Sequence, residues 1–357
     1  MSNTITYAKQ YVNNQKELLR MFNTNLLCAD LLKEASFING KTIAYDEISF
    51  ASYSMGTYDR NSGAPAKDIT FARKEMTLTQ DRGDSLKLDI MDKKEAQIAD
   101  GIMGAYNFYQ VKVAIPTIDT YSFGKVCATG GNAKAFGTLT SSNIVGSLFK
   151  LFAEAKKKRI KTEECVLYIT ASANALLDEV AFGRGVLTVG VWKGVGSWDG
   201  DLQTTCTMIK GAKLVEVPDD YLGGVAFALV HPLAVSVLPV LAGTEYHDRI
   251  PGFVGMSQID VRDYFDAWVN PNGGADGVWL GLEAPRTLDF VKGTNKVTGF
   301  TNVEKGAKIY YTTNGSDPTT SSTQWTSGDI SVSANATIKA IQVLDGQSSK
   351  VASWTNS

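Results

Sequence analysis

Pro285 separates two stretches that no single folding pattern covers. From Arg286 to Ser357, 22 of 72 residues are Ser or Thr, and Cys, His and Met are absent. Strand-sized pieces alternate with turn chemistry: "AKIYYTT", "NGSDPTTSS", "DISVSANATIKAIQV" and "DGQSSKVASW". Short strands punctuated by Asn-Gly, Asp-Pro and Asp-Gly predict a small antiparallel β-sandwich, a separate domain on an unrelated body. Asn314-Gly315-Ser316 spells a glycosylation sequon but reads as turn chemistry.

The 285 residues before this boundary carry an ordinary globular composition. Across the whole chain of 357 residues, 44% are hydrophobic and 20% charged, enough for two or three domains. A net charge of −2 points to no nucleic-acid partner. Cys28, Cys127, Cys165 and Cys206 form no CxxC pair, and His231 and His247 are the only histidines, so the sequence predicts no metal or redox centre. The N-terminal "MSNTITYAKQYVNNQKELLR" lacks the apolar core of a signal peptide, and no apolar run reaches membrane-spanning length. A soluble, cytosolically made product is expected.

Residues 1–40 read as a polar arm with one helical stretch, in which Leu18, Leu19, Phe22, Leu26 and Leu27 recur at helical spacing. From about Lys41 the pattern becomes strand-like. "TIAYDEISF" alternates, as does "EMTLTQDRGDSLKLDI", with "QDRGDS" expected to turn at Gly83. Between the outer strands lies the polar "SYSMGTYDRNSGAPAKD", which makes the region a long two-stranded excursion. Two strands alone are marginal in water, so the excursion requires a partner surface.

The strongest helix signal runs from Asp92 to about Ala114, with Ile98, Ile102, Tyr106, Tyr109 and Val113 on one stripe. Asp92 and Glu95 have capping-box spacing, and the helix would be about 34 Å long. Pro116 is expected to break or kink it before "TIDTYSFGKV". A second helix is predicted over Ser141–Lys158, capped by Thr140 or Ser141, with Ile144, Leu148, Phe149 and Phe152 on one face and "KKKR" at its C-terminal end. "CVLYIT" reads as a buried strand and "SANALLDEVA" as a short helix. "FALVHPLAVSVLPVLAG" reads as strand and turn interrupted by Pro232 and Pro239. "MSQIDVRDYFDAWVNPNGGADGVWLGLE" reads as two strands joined by an "NPNGG" turn.

Candidate chemistry has a structural reading throughout. "GVGSWDG" (194–200) has the wrong spacing for a nucleotide loop. Arg82-Gly83-Asp84 reads as a turn. Asp219-Asp220 and Glu163-Glu164 are adjacent carboxylates, whereas acid–base pairs need convergent placement. His231 before Pro232 reads as a core or turn residue, and Lys156–Lys158 as the solvated end of a helix. Hydrolase, metalloprotease and P-loop motifs are absent. The sequence therefore yields no catalytic, cofactor-binding or metal residues, and favours a protein whose function is its surface.

Two parts of the sequence resemble known families. The order of arm, β-excursion, "QDRGDSLKLDIMD" leading into a long helix, "IPTIDTYSFGK" at its far end, mixed body and "DVRDYFDAWV…GVWLGL" resembles the major capsid proteins of tailed bacteriophages, over roughly residues 1–283. "KIYYTTNGSDPTTSSTQW…ATIKAIQVLDGQSSKVAS" resembles the Ig-like module at the C-terminus of chitobiases and hexosaminidases, with Asn314 in place of an Asp. That likeness does not imply sugar hydrolysis, which needs its own domain with paired carboxylates.

The resemblance implies an α+β, tailed-phage/herpesvirus-type capsid fold plus a C-terminal all-β Ig-like sandwich. It implies an N-arm (1–40), an extended loop (41–90), and a body (91–284) with a spine helix over about 92–126 and peripheral and axial domains. The sandwich (285–357) would be exposed on the outer surface. The implied partners are copies of the chain in hexamers and pentamers, scaffold and portal proteins, and packaged double-stranded DNA without sequence-specific contact. No membrane is implied. The implied location is the virion, assembled in the host cytoplasm. Lys67 and Lys74 in the excursion do not establish a covalent crosslink. Two alternatives stay open at this stage: a cellular nanocompartment shell of the same fold, and a carbohydrate-binding surface protein. In the latter, Tyr310, Tyr311, Trp325 and Trp354 would form a sugar platform, although in so small a sandwich they read more readily as core.

Overall fold

Alternating sequence produces the first strands. The computed structural model describes residues 26–33, 42–50, 55–89, 106, 109–129, 131–183, 208–247, 250, 252, 255–271 and 273–356. Most of the expected N-terminal helical stretch (Leu18 to Leu27), the spine-helix residues 92–105, the "GVGSWDG" loop and Cys206 lie outside them, while Leu26 and Leu27 lead into a 3-10 turn at Ala29–Leu31. The chain groups into two compact units, 1–119 with 236–273 and 120–235 with 274–357.

In the first unit, β1 (Thr42–Phe50) and β2 (Ile69–Thr77) form an antiparallel two-stranded ribbon, with Ile43 opposite Met76. β3 (Gln80–Asp89) is a single strand where a turn at Gly83 was expected. It pairs antiparallel with a long late strand, Met256–Val269, and Gly83 lies opposite Arg262. The glycine serves a close approach instead: a Cβ there would stand 2.5 Å from the Val261 carbonyl oxygen.

The helix that follows does not end at Pro116. A π turn, Gln110–Ala114, leads straight into α1 (Ile115–Thr129). The Ile115 N–H donates to Gln110 O, five residues back, and this wider turn accommodates a proline that has no N–H of its own. The Thr117 hydroxyl donates to Val113 O at 2.6 Å. The extra residue also shifts the apolar stripe. Tyr106 and Tyr109 pack on Ile259, Val261 and Leu88, but Val113 is 43% exposed and Ala114 takes the buried position.

In the second unit, β4 (Asn132–Ala135) is followed by α2 (Ile144–Lys157), β5 (Val166–Thr170) and α3 (Ala171–Gly183). Then come β6 (Met208–Ile209), β7 (Ala212–Val217) and β8 (Phe227–Val230). β9 (Val235–His247) and β10 (Met256–Val269) return to the first unit, in a sheet of order β3-β10-β9, and β11 (Val278–Leu282) rejoins the second. β10 and β11 were expected to flank one turn, yet they enter different sheets, with the 3-10 turn Gly274–Gly277 leading into β11. Pro232 sits in a turn as expected. Pro239 lies inside β9, which is tolerable because β9 is an edge strand.

The second unit's sheet has the order β4-β11-β8-β5-β7-β6, with parallel pairs β4–β11 and β5–β7. Every residue of β5 is buried because both of its faces are covered. Leu167 and Ile169 pack with Ile144, Leu148, Leu151 and Phe152 of α2 and Leu177 of α3. On the other face the Tyr168 ring meets Phe123 of α1 edge-on, with centroids 4.8 Å apart. Gly281 in β11 leaves room for its neighbour on β8: a Cβ there would lie 2.1 Å from Phe227 Cε2.

The C-terminal sandwich forms as the turn chemistry predicts. One sheet holds β12 (Asp289–Gly293), β13 (Lys296–Thr301) and β16 (Ile330–Ser331). The other holds β14 (Lys308–Thr312), β15 (Thr323–Trp325), β17 (Thr337–Leu344), β18 (Gln347–Ser348) and β19 (Ala352–Thr355).

Gly281→Ala should force the Phe227 ring from its place and cost about 1–3 kcal/mol, as overpacked cores do. Urea denaturation of the two proteins measures it, and an unchanged midpoint would mean that the ring yields freely.

Candidate functional site: the rooted ribbon and the docked module

The β1–β2 ribbon is firmly rooted at one end. Where β2 hands over to β3, Asp266 of β10 accepts from both the backbone N–H and the hydroxyl of Thr79, each at 2.9 Å. The Tyr264 hydroxyl donates to Leu78 O at 2.8 Å. Ile43, Leu78, Leu238 and Tyr264 close a small apolar cluster under the root, with Trp268 against it. Thr42 and Thr77 join the strands by a hydroxyl pair at 3.2 Å.

Further out, that burial disappears. Met55 is 98% exposed, Phe71 70% and Tyr58 69%. The outer loop is nonetheless shaped: the Asp59 carboxylate accepts from Asn61 N and Ser62 N, and Gly56 lies so close to Pro65 that a Cβ would overlap the ring. Among the described residues, the ribbon thus joins a firm root to large apolar side chains in solvent.

The segment entering the first unit is clasped by one carboxylate. Asp119, 1% exposed on α1, accepts from Leu27 N at 3.1 Å and Cys28 N at 3.0 Å. Burial raises its pKa above the ordinary carboxylate value, against the lowering effect of those donors. Lys33 N then donates to Val237 O at 3.0 Å, joining the segment to β9.

The sandwich is fastened to the body of the second unit. Arg286, in the connecting segment, makes a two-pronged ion pair with Glu304, at 2.6 and 3.1 Å, and Glu304 is only 3% exposed. Gln342, fully buried on β17, completes the joint. Its amide donates to Arg286 O and Asn302 O and accepts from Glu304 N. The Cys127 thiol of α1 is buried near this pair, and burial pushes its pKa up to about 12. At the β17–β18 turn, Asp345 accepts from Ala135 N at 3.2 Å and pairs with Lys134 at 3.5 Å, while Lys305 reaches Asn132 Oδ1 at 3.2 Å.

The sequence candidates take structural places. Asp219 accepts from the backbone N–H and hydroxyl of Ser172, which makes it a cap for α3 contributed from a distant turn. Glu163 and Glu164 pair with Lys156 and Lys161, Lys157 with Glu154, and Lys158 lies 4.0 Å from Asp276. The lysine run is thus interleaved with acids. His231 Nδ1 accepts from Leu233 N at 3.2 Å, and Nε2 lies 3.5 Å from Glu164. Asp84 of the Arg-Gly-Asp stretch accepts from the Tyr109 hydroxyl at 2.6 Å, within a strand. Lys67 and Lys74 are exposed. Tyr311, Trp325, Phe290, Phe300 and Trp354 pack against the sandwich core, and the Trp325 N–H donates to Gly328 O. Tyr310 is half-buried on β14. Among the described residues, no group of three or more His, Cys, Asp or Glu could hold a metal, and no helix is long and apolar enough to cross a membrane. Asp119, Asp266 and Gln342 were not singled out by sequence, since an isolated Asp or Gln carries no local pattern.

Two solved phage capsids align with most of the chain. The capsid protein of cyanophage P-SCSP1u is 10% identical, with a TM-score of 0.53, over 71% of this chain and 86% of that one. That of Myoviridae phage XM1 is 8% identical, with a TM-score of 0.50, over 72% and 92%. The chain has a phage-capsid fold. The family model of the chitobiase/beta-hexosaminidase C-terminal domain matches residues 290–353, which is the sandwich. The hydrolase name thus attaches to the Ig-like module alone. No curated protein matches the chain.

Asp119→Ala should cost about 1–3 kcal/mol by stranding two amide donors. It should also change the pH dependence. With a raised folded pKa, Asp119 contributes most below the unfolded value of 3.8, and its contribution falls as pH rises through the folded value. Denaturation midpoints measured from acid to neutral pH should lose that decline in the variant, and identical curves would remove Asp119 from the clasp.

Proposed function

We propose that the chain is the major capsid subunit of a tailed bacteriophage, assembling into hexamers and pentamers of an icosahedral shell around double-stranded DNA. The observation that carries this reading is the β1–β2 ribbon. It is anchored by Asp266 and Tyr264, yet presents Met55, Tyr58, Ile69 and Phe71 to solvent, on a phage-capsid fold. A two-stranded ribbon cannot bury these groups by itself. A neighbouring copy is the partner that a repeating shell always supplies.

In this reading, residues 1–40 are the N-arm and 41–90 the extended loop. The body spans 91–284, with the spine helix over about 92–126 and peripheral and axial domains. The loop then divides into a protruding ribbon through Thr77 and a strand, β3, that belongs to the body sheet. The sandwich, 285–357, decorates the outer surface. Scaffold and portal proteins set the size of the shell, DNA is held without sequence-specific contact, and assembly takes place in the host cytoplasm. The module would add weak glycan or cell-surface binding, through surface other than Tyr311, Trp325 and Trp354, which pack against its core.

Negative-stain electron microscopy and light scattering on the chain expressed with its neighbouring genes test the proposal. Closed particles or hexamer-sized rings are expected. Phe71→Asp combined with Met55→Asp should leave the circular dichroism of the subunit unchanged and cut particle yield at least tenfold, since several apolar contacts per copy are lost. A persistent monomer under every condition, or full assembly by the double variant, would overturn the reading.

A further inference from the structure

β4 is the last strand of its sheet and pairs with β11 alone among the described strands. It is four residues long, and its outer side carries backbone groups that β11 does not use. Such an edge is a ready template for a strand from another chain. Here the edge is occupied by the chain's own C-terminal module. The Ala135 N–H is taken by Asp345 Oδ2, and the same carboxylate faces Lys134. Lys305 holds the Asn132 side chain at the start of the strand. Just past the strand, Gly137 adopts a left-handed φ of 77° and lies against Gln347, whose Nε2 would stand 3.4 Å from a Cβ at that position.

Backbone geometry aims these groups. Asp345 and Gly346 are both left-handed, with φ of 49° and 84°, as a two-residue hairpin turn between β17 and β18 requires. An Asp tolerates this conformation better than most residues, and it also projects an acceptor from the tip of the turn. Behind the turn, β17 is locked by Gln342 and, through it, by the Arg286–Glu304 pair. The tip therefore meets β4 at a set position.

We infer that the C-terminal module is an intrachain edge cap. It closes β4 of the body sheet against strand addition by another copy, whatever else it displays. This task is independent of the capsid reading and would hold for the isolated subunit. A chain that accumulates to high concentration before assembling gains from it directly, because an uncapped edge competes with ordered association.

Hydrogen exchange on the full-length subunit, followed amide by amide, tests the cap. Asp345→Ala should speed exchange at Ala135 by at least about fivefold, the scale of one lost hydrogen bond, and leave the amides of β14 and of residues 338–341 in β17 unchanged. Asp345→Asn retains an oxygen acceptor and should restore most of the protection. On warming, Asp345→Ala should scatter light sooner than the parent chain, and adding Ala135→Pro, which removes the exposed N–H, should delay it again. Unaltered exchange at Ala135 would overturn the inference. So would faster exchange throughout the module, or aggregation indifferent to residue 135.

Discussion

A β-strand at the end of a sheet leaves half its amides and carbonyls facing outward, and each needs a partner or water. Two edges of this chain meet that demand from within. On β9, Pro239 removes one donor and the arm supplies a bridge, Leu32 beside Val237. On β4, the Asp345 carboxylate takes the amide. Those two edges are met within the chain. The β1–β2 ribbon has no third strand among the described residues.

The joints between segments share one device. Asp266 at the ribbon root, Asp119 at the arm and Gln342 in the module each place a buried acceptor against backbone N–H groups from a distant part of the chain. Apolar packing alone tolerates sliding, whereas an acceptor satisfied by particular amides does not. Displacing any of these joints would leave donors buried without partners, at roughly 1–3 kcal/mol each. The apolar clusters supply the bulk of stability, and the polar joints fix position.

Local pattern made some of this legible and long-range contact hid the rest. β1, β5, α2 and the sandwich follow directly from period, because burial of one stripe or of both faces writes itself into successive residues. The π turn does not, so Val113 was assigned to the stripe that Ala114 fills. Gly83 carries turn chemistry, but its use is set by how closely the Val261 carbonyl approaches from residues far away in sequence. β10 and β11 flank a plausible turn, and only tertiary pairing sends them to separate sheets. Asp219 looked like half of a carboxylate pair, yet it caps a helix that begins 48 residues earlier, at Ala171.

The docked module bears on display as well as folding. A domain on a flexible tether samples many orientations, and each contact it makes must first be ordered at an entropic cost. Held against β4 by Asp345 and braced by Arg286, Glu304 and Gln342, this module keeps its exposed surfaces in one pose on the subunit. In a symmetric assembly those surfaces would form a fixed array, and weak single-site binding would be multiplied without any new contact, provided the target's spacing matched the array. The joint that steadies the fold would then also set which multivalent targets the surface can engage.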